Sequence, residues 1–585
     1  MSINLKSKIK YFFYRVIKII LLFLCFTITI LKIVNPVFVS DEVIIPYSFE
    51  PFNICKEYPE AWYWIKIIYI GCLVFTNLIF SSYIVNTYSK SYTQNRSLKD
   101  NKKKNFYEKE NIKFSKTNIN SKLKLLIGYE PKTGKKLYIP ETGLYQNFLI
   151  TGTIGTGKTS SAMYPFTEQL IKYNSTNRDD KIGMLILDVK GNYYSQVEEY
   201  TRKYNLHEDL IVIELGGKWR YNPLYKPNLK PAVLANRLKT ILNLFSENNS
   251  ESYWLDKSEQ VLTEAIKLCR LYNNNYVDFV ELHKIITKPD YYKGKIKILR
   301  EKFIKSKFSV KEVYELNTAL EFFCDEYEKL DSRTLAILKS EITRITNTFI
   351  SDYDIINTFC PSKEKLNFKG FKNVIQKGKI VVLNMNIAEY KNLSKIIAAY
   401  LKLDFQTDIM ETLAKGKVRK TAFICDEYAE YVTKTDSDFF SLSREAKCIN
   451  IVSTQSYSSM KNTLKDETAV KVICQNLINK IWFRTDDIFT IEEAQKQIGK
   501  EEKIKTSKNI SESAKETNYS YILKSLKSKD SSISESFNMY TQNDFKYETN
   551  FFTQDLEVFE ALTFLSDGNK IIQPRKIKMI PYFLN

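Results

Sequence analysis

The hydrophobic pattern changes character several times along the chain. Near the N-terminus it is continuous. Residues 19–31 (IILLFLCFTITIL) are almost wholly apolar, and 33–39 nearly extend the run. Residues 67–85 form a second apolar run, preceded by Trp62, Tyr63 and Trp64. Each is long enough, the first with its flanks, to cross about 30 Å of hydrocarbon as a helix. Further on, the pattern breaks into short β-rich runs: Phe148–Thr151, Met184–Asp188, Leu210–Leu215, Ile380–Met385, Thr421–Asp426, Ile449–Thr454 and Lys480–Arg484. Helical periodicity fills several of the gaps, which predicts an α/β fold with a parallel sheet covered on both faces. Between about 226 and 370 the strands vanish and apolar residues recur at helical spacing, as in 232–246 and 254–272. Residues 501–548 are rich in Ser, Lys and Asn and predict a long, partly disordered surface excursion. Strand character returns at Ala561–Leu565 and Ile577–Tyr582. The chain therefore divides into a membrane anchor (1–86), a linker (87–124), a first α/β segment (125–225), an inserted all-α domain (226–370), a second α/β segment (371–500), the polar excursion (501–548) and closing strands (549–585).

Charge refines the first part of this picture. Lys and Arg number 87 against 67 Asp and Glu, a net charge of +20. Residues 1–124 hold 19 of the former and 8 of the latter, or +11, so over half the excess lies in the first fifth of the chain. Residues 1–18 carry five basic residues and no acid, the loop 35–65 carries five acids against Lys56, and 86–124 carry eleven basic residues against three acids. That asymmetry predicts two spans in the cell membrane, a short outside loop and both termini in the cytoplasm. The linker, with Lys102, Lys103 and Lys104, reads as a solvated tether. Nine cysteines form no CxxC pair, and there are only two histidines, His207 and His283. A structural zinc site and a Ser-His-Asp triad are thus poorly supported.

The chemistry is concentrated after the strand Phe148–Thr151. There the sequence reads Gly152-Thr153-Ile154-Gly155-Thr156-Gly157-Lys158-Thr159-Ser160, then a helical pattern. This is GxxxxGK[ST] in a strand–loop–helix context, the signature of a phosphate-binding loop. Its glycines let backbone N–H groups turn onto phosphate oxygens, and the helix N-terminus adds a favourable dipole. Lys158 is placed to reach the β- and γ-phosphates of ATP, and Thr159 to ligate Mg²⁺. The strand Thr421–Asp426 ends in the acid pair Asp426–Glu427. Asp426 is the candidate for the metal shell and Glu427 for the base that polarises an attacking water. Gln455, at the end of the next strand, is expected beside the γ-phosphate because ligands in α/β sheets sit beyond the carboxyl ends of strands. Arg444, in the helix before that strand, is the candidate for an arginine reaching a neighbouring subunit's nucleotide. Asp188-Val-Lys190-Gly191 also ends a strand near this edge, and a simple β–α turn explains it equally well.

Two spans, then ITGTIGTGKT, LILDVKGN, Tyr221-Asn222-Pro223-Leu224, FICDEYAE and IVSTQS resemble the type IV secretion coupling proteins, the TraG/TraD-type conjugative ATPases. The resemblance implies a RecA-like P-loop NTPase core with an inserted all-α domain, preceded by two transmembrane helices. It implies a hexameric ring that recruits a relaxase–DNA complex and single-stranded DNA to the components of a secretion channel. By the same resemblance Lys158 and Thr159 bind nucleotide and Mg²⁺, Asp426 and Glu427 form the acidic motif, and Gln455 acts as a sensor. Asn192 departs from it, standing where an acid commonly follows D-x-K-G. Two other readings remain at this level: an FtsK-like DNA pump or protein-secretion motor, and a nucleotide-binding scaffold that never turns over. Glu427 weighs against the scaffold.

Overall fold

The aliphatic runs of the sequence become short strands of one large sheet. In chain order the strands are β1 (Lys124–Tyr129), β2 (Lys136–Pro140), β3 (Phe148–Thr151), β4 (Gly183–Leu187), β5 (Leu210–Ile213), β6 (Ile380–Leu383), β7 (Thr421–Cys425), β8 (Cys448–Thr454), β9 (Asn479–Phe483), β10 (Lys500–Ser513), β11 (Tyr519–Ser520), β12 (Ser525–Leu526), β13 (Ser532–Phe545), β14 (Glu560–Ser566) and β15 (Ile571–Lys578). The computed structural model describes residues 123–584, apart from 178, 189, 245–251, 306–308, 417, 514–518, 521–524 and 527–531. Before residue 123 it describes only Phe23 and helical positions between Glu60 and Ser81. The expected span 19–31 apart from Phe23, its extension, about half of 67–85 and nearly all of the linker therefore lie outside the described residues. Among the described residues no helix is long and apolar enough to cross a membrane.

The main sheet runs β2-β1-β15-β14-β9-β3-β8-β7-β4-β6-β5. The seven strands from β9 to β5 are parallel, and they are the seven runs expected from sequence. Parallel strands need cover on both faces, and β3, β4, β6, β7, β8 and β9 are buried at every position. The sheet is mixed rather than wholly parallel: β14 pairs antiparallel with β9, and β15, β1 and β2 continue antiparallel outward. The hairpin β1–β2 was absent from the sequence reading, and β15 begins earlier than the expected Ile577.

Between β5 and β6 the chain is helical, as expected for 226–370. Its helices include Pro231–Leu244, Ser252–Tyr272, Phe279–Thr287 and Ser332–Ile350. Side chains that accept from free amides at the first turn start several of them, among them Asp278, Asp331 and Asp352. Ser309 and Glu312 form a reciprocal capping box. Leu238, Ile266 and Phe349 of this region share one hydrophobic core with Leu187 and Val381 of the sheet. Residues 501–548 differ most from expectation. β10 and β13 pair in one unbroken antiparallel register, Lys500 opposite Phe545 through to Ser513 opposite Ser532.

Candidate functional site

The order of the strands decides what meets at the carboxyl edge of the sheet. β8 lies between β3 and β7, so the loops after these three strands are neighbours although they are far apart in sequence. Backbone hydrogen bonds tie these loops to one another and to the ends of β9 and β4. Gly152 N donates to Gln455 O at 3.2 Å, Thr153 N to Arg484 O at 2.9 Å, and Asp426 N to Leu187 O at 3.0 Å.

The phosphate-loop motif forms the expected loop and helix. Gly157 has φ +100°, and a Cβ added there would fall 2.5 Å from Cδ1 of Phe559. Only glycine meets both conditions. Thr153 and the buried Thr156 tie the loop to itself and to β9: Thr153 Oγ1 donates to Arg484 O at 3.1 Å, and Thr156 Oγ1 to Thr153 O at 2.8 Å. The helix that follows starts with a π-wound turn, Lys158–Met163, before the α-helix Tyr164–Lys172. Such wide turns recur at functional sites. Lys158 is buried and curls back over the loop, donating to Gly152 O at 2.6 Å and Thr153 O at 3.2 Å. Burial lowers its pKa, against the opposing pull of Glu427 and Asp426. Its ammonium thus occupies carbonyls that a phosphate oxygen would replace with a better partner. Ser160 is half-buried, its hydroxyl 3.4 Å from Gly157 O.

The acid pair closes on this loop. Thr159 Oγ1 donates to Asp426 Oδ2 at 2.7 Å. Ser453 of β8 donates to the other carboxylate oxygen, and Glu427 N reaches the same oxygen at 3.1 Å. Glu427 has a left-handed backbone (φ +50°) and pairs with Lys190 at 3.3 Å. Burial works against the charge on Lys190, but Asp426 and Glu427 outweigh it and raise its pKa. Asp188 accepts from the amides of Lys190 at 3.1 Å and of Asn192 and Tyr193 at 3.2 Å. It starts the helix Tyr193–Lys203 and aims Lys190 at the acids. Burial, with help from the Asp426 charge, raises its pKa.

A buried network holds the loop after Glu427. Lys402 pairs with Asp436 at 2.6 Å with both side chains fully enclosed. Asp436 also accepts from Tyr428 Oη at 2.5 Å, Gln406 Nε2 at 3.0 Å and Thr433 N at 2.9 Å. Every strong acceptor direction is used, as a buried charge requires.

Gln455 sits half-buried at the end of β8, beside the phosphate loop. Arg444 is not in a helix. It is exposed, in the turn after the helix Asp436–Leu442 and before β8. At roughly 3.3 Å per residue, the length of β8 separates it from its own chain's phosphate loop by about 20 Å. The site therefore gathers Gly152, Thr153, Gly155, Thr156, Gly157, Lys158, Thr159, Ser160, Asp426, Glu427 and Gln455, and leaves Arg444 at the opposite edge. Sequence reasoning missed Ser453 and Phe559, and left Lys190 between a role at this edge and a simple β–α turn. Ser453 carries a signal, being a hydroxyl at the carboxyl end of the strand Cys448–Thr454, where ligands of α/β sheets sit.

This is the layout of an α/β protein built to hold a phosphate chain at the carboxyl edge of its sheet. Residues 420–538 match the family described as "TraM recognition site of TraD and TraG". Among solved structures, the fold is similar to the bacterial conjugative coupling protein TrwBdeltaN70 in its unbound form. That match has 12% identity over 76% of this chain and 86% of that chain, with a TM-score of 0.50. It is similar also to TrwB with the GTP analogue GDPNP and to TrwB with ADP and Mg²⁺, each 12% identical over 79% of this chain and 94% of that chain, TM-score 0.50. A search of curated protein sequences gives no match. At such identity the structural likeness speaks for the fold. The family match, which runs from β7 into β13, bears out the resemblance to type IV coupling proteins.

Proposed function

We propose that the chain is a membrane-anchored, Mg²⁺-dependent ATPase that couples a relaxase–DNA cargo to a type IV secretion channel. The observation that carries the reading is the hydrogen bond from Thr159 to Asp426. It joins the phosphate loop to the acid strand across the sheet. The two oxygens suited to a Mg²⁺ shell are adjacent before any ion is considered. Among the described residues there is no cluster of three or more His, Cys, Asp or Glu fit to hold a metal. That suits Mg²⁺, which uses one or two protein oxygens with phosphates and water. Thr159 and Asp426 would hold the ion, which would neutralise charge on the phosphates.

In this reading the backbone amides of 153–160 and the Lys158 ammonium bind the triphosphate. Glu427 orients and accepts a proton from the attacking water, and Gln455 contacts the γ-phosphate. The anchor is residues 1–86, with both termini cytoplasmic, and its support is the charge asymmetry of the flanks. Subunits assemble as a ring of six. Arg444 faces outward from the edge opposite its own site, so it serves a neighbour's nucleotide or none.

The test is ATP hydrolysis by the solubilised full-length chain, with and without single-stranded DNA. Lys158→Ala is expected to abolish turnover. Arg444→Ala is expected to lower it by about 10³-fold or more, as a trans-acting arginine does. Mixed rings of the two variants should regain partial activity. Wild-type turnover by Lys158→Ala would overturn the site. Full activity of Arg444→Ala, or co-assembled mixed rings that stay inactive, would overturn the arginine's role alone.

A further inference from the structure

The closing strands do more than complete the sheet. The turn that leads into β14 places Phe559 directly on the phosphate loop. Its backbone N donates to Thr156 O at 3.1 Å, and its carbonyl accepts from Met579 N at 2.7 Å. Its ring lies against Gly157, close enough that a methyl group there would collide with it. Phe559 adopts φ +65°, a left-handed conformation rare for a bulky aromatic residue. Strain of this kind persists where the surroundings enforce it, and it clusters at ligand sites.

The ring is not sealed into a core. Phe559 is half-buried. Phe583, 60% exposed, meets it edge-on with ring centroids 6.0 Å apart. Tyr582 meets Tyr164, at the start of the phosphate-loop helix, at 5.2 Å in the same edge-on manner. Beside amides poised for phosphates there is thus an aromatic wall, partly open, on the side of the loop from which its helix departs.

We propose that Phe559, backed by Phe583, is the platform on which the base of a loop-bound nucleotide stacks. The proposal rests on the phosphate-loop reading and adds the subsite for the rest of the ligand. Stacking uses the π-face that every base has, so it discriminates poorly between bases. The site is therefore expected to take adenine and guanine nucleotides with similar affinity.

The test compares ligands with and without a base on the full-length chain. Equilibrium binding of ADP, GDP and inorganic tripolyphosphate is measured with Mg²⁺ for the unsubstituted protein, Phe559→Leu, Phe559→Trp and Phe583→Ala. Leu keeps apolar bulk against Gly157 but cannot stack. Phe559→Leu is expected to weaken ADP and GDP alike, by about ten-fold or more, and to leave tripolyphosphate unchanged. Phe559→Trp is expected to retain nucleotide binding, and Phe583→Ala to weaken it to a smaller degree. Unchanged ADP affinity in Phe559→Leu with intact tripolyphosphate binding would overturn the platform alone. Equal loss of both ligands would assign Phe559 to shaping the loop, and would overturn it too. If the unsubstituted chain binds neither ligand, the phosphate-loop reading falls and the proposal with it.

Discussion

Glu427 has a left-handed backbone, and its carboxylate is held 3.3 Å from Lys190. Asp188 and the pair Asp426–Glu427 lie at the ends of the neighbouring strands β4 and β7, with Lys190 and the buried Lys158 as the cations beside them. Lys190 is about half exposed, so its pairing contributes little to stability, about 0–1 kcal/mol. Its charge matters more for the site than for the fold. Lys190→Ala is expected to lower ATP turnover by about ten-fold with no change in melting temperature, and Lys190→Arg to retain most of it. Steady-state rates and thermal melts of the three proteins check this. A turnover unaffected by Lys190→Ala would leave the residue as part of a turn only. Spacing made the phosphate loop and the acid pair legible in the sequence. The partners that reach them from other strands were not. Lys190 reads as a β–α turn, and Phe559 sits in an unremarkable stretch. Their roles depend on which strands are neighbours, and no local pattern encodes that.

At the scale of elements, β9 contains a charge its neighbours do not neutralise with an acid. Lys480 is buried and donates to the carbonyls of Cys474 and Leu477, where the helix Glu467–Asn476 ends. Burial pulls its pKa down to about 8. In the unfolded chain Lys480 holds its proton up to the ordinary lysine range. Between pH 8 and about 10.5 the unfolded state therefore binds more protons, and stability rises with pH. Below pH 8 both states are protonated and the penalty is constant, about 3 kcal/mol. Lys480→Met is expected to remove this part of the pH dependence. The difference in urea midpoint between variant and parent should narrow from pH 8 to pH 10. A difference constant over that range would contradict the burial effect.

The same scale shows which elements the sequence disclosed. The seven parallel strands were legible because burial on both faces demands mainly apolar runs, interrupted only at positions such as Asn450 of β8 and Lys480 of β9. β1 and β2 were not, since the edge of a sheet tolerates mixed composition such as KLYIP. The ribbon β10–β13 was read as partly disordered for a related reason. The side chains described on its two strands include none that is buried, and Ile504 and Met539 are exposed. Their pairing therefore leaves no apolar stripe to find.

For the whole molecule, the helical segment between β5 and β6 shares one hydrophobic core with the sheet. The two membrane spans were inferred from charge and hydropathy alone. In the proposed function the phosphate loop and the acid strand together make a hydrolytic site, not merely a binding one. Glu427→Gln separates the two most directly, because it keeps the shape of the side chain and removes the base. ATP affinity and ATP turnover should be measured with Mg²⁺ on the same preparations of the full-length chain and this variant. Affinity is expected within a few-fold of the parent and turnover lower by about 10²- to 10⁴-fold. A variant that turns over ATP at the parent's rate, or a parent that binds ATP and never hydrolyses it, would contradict the proposed function.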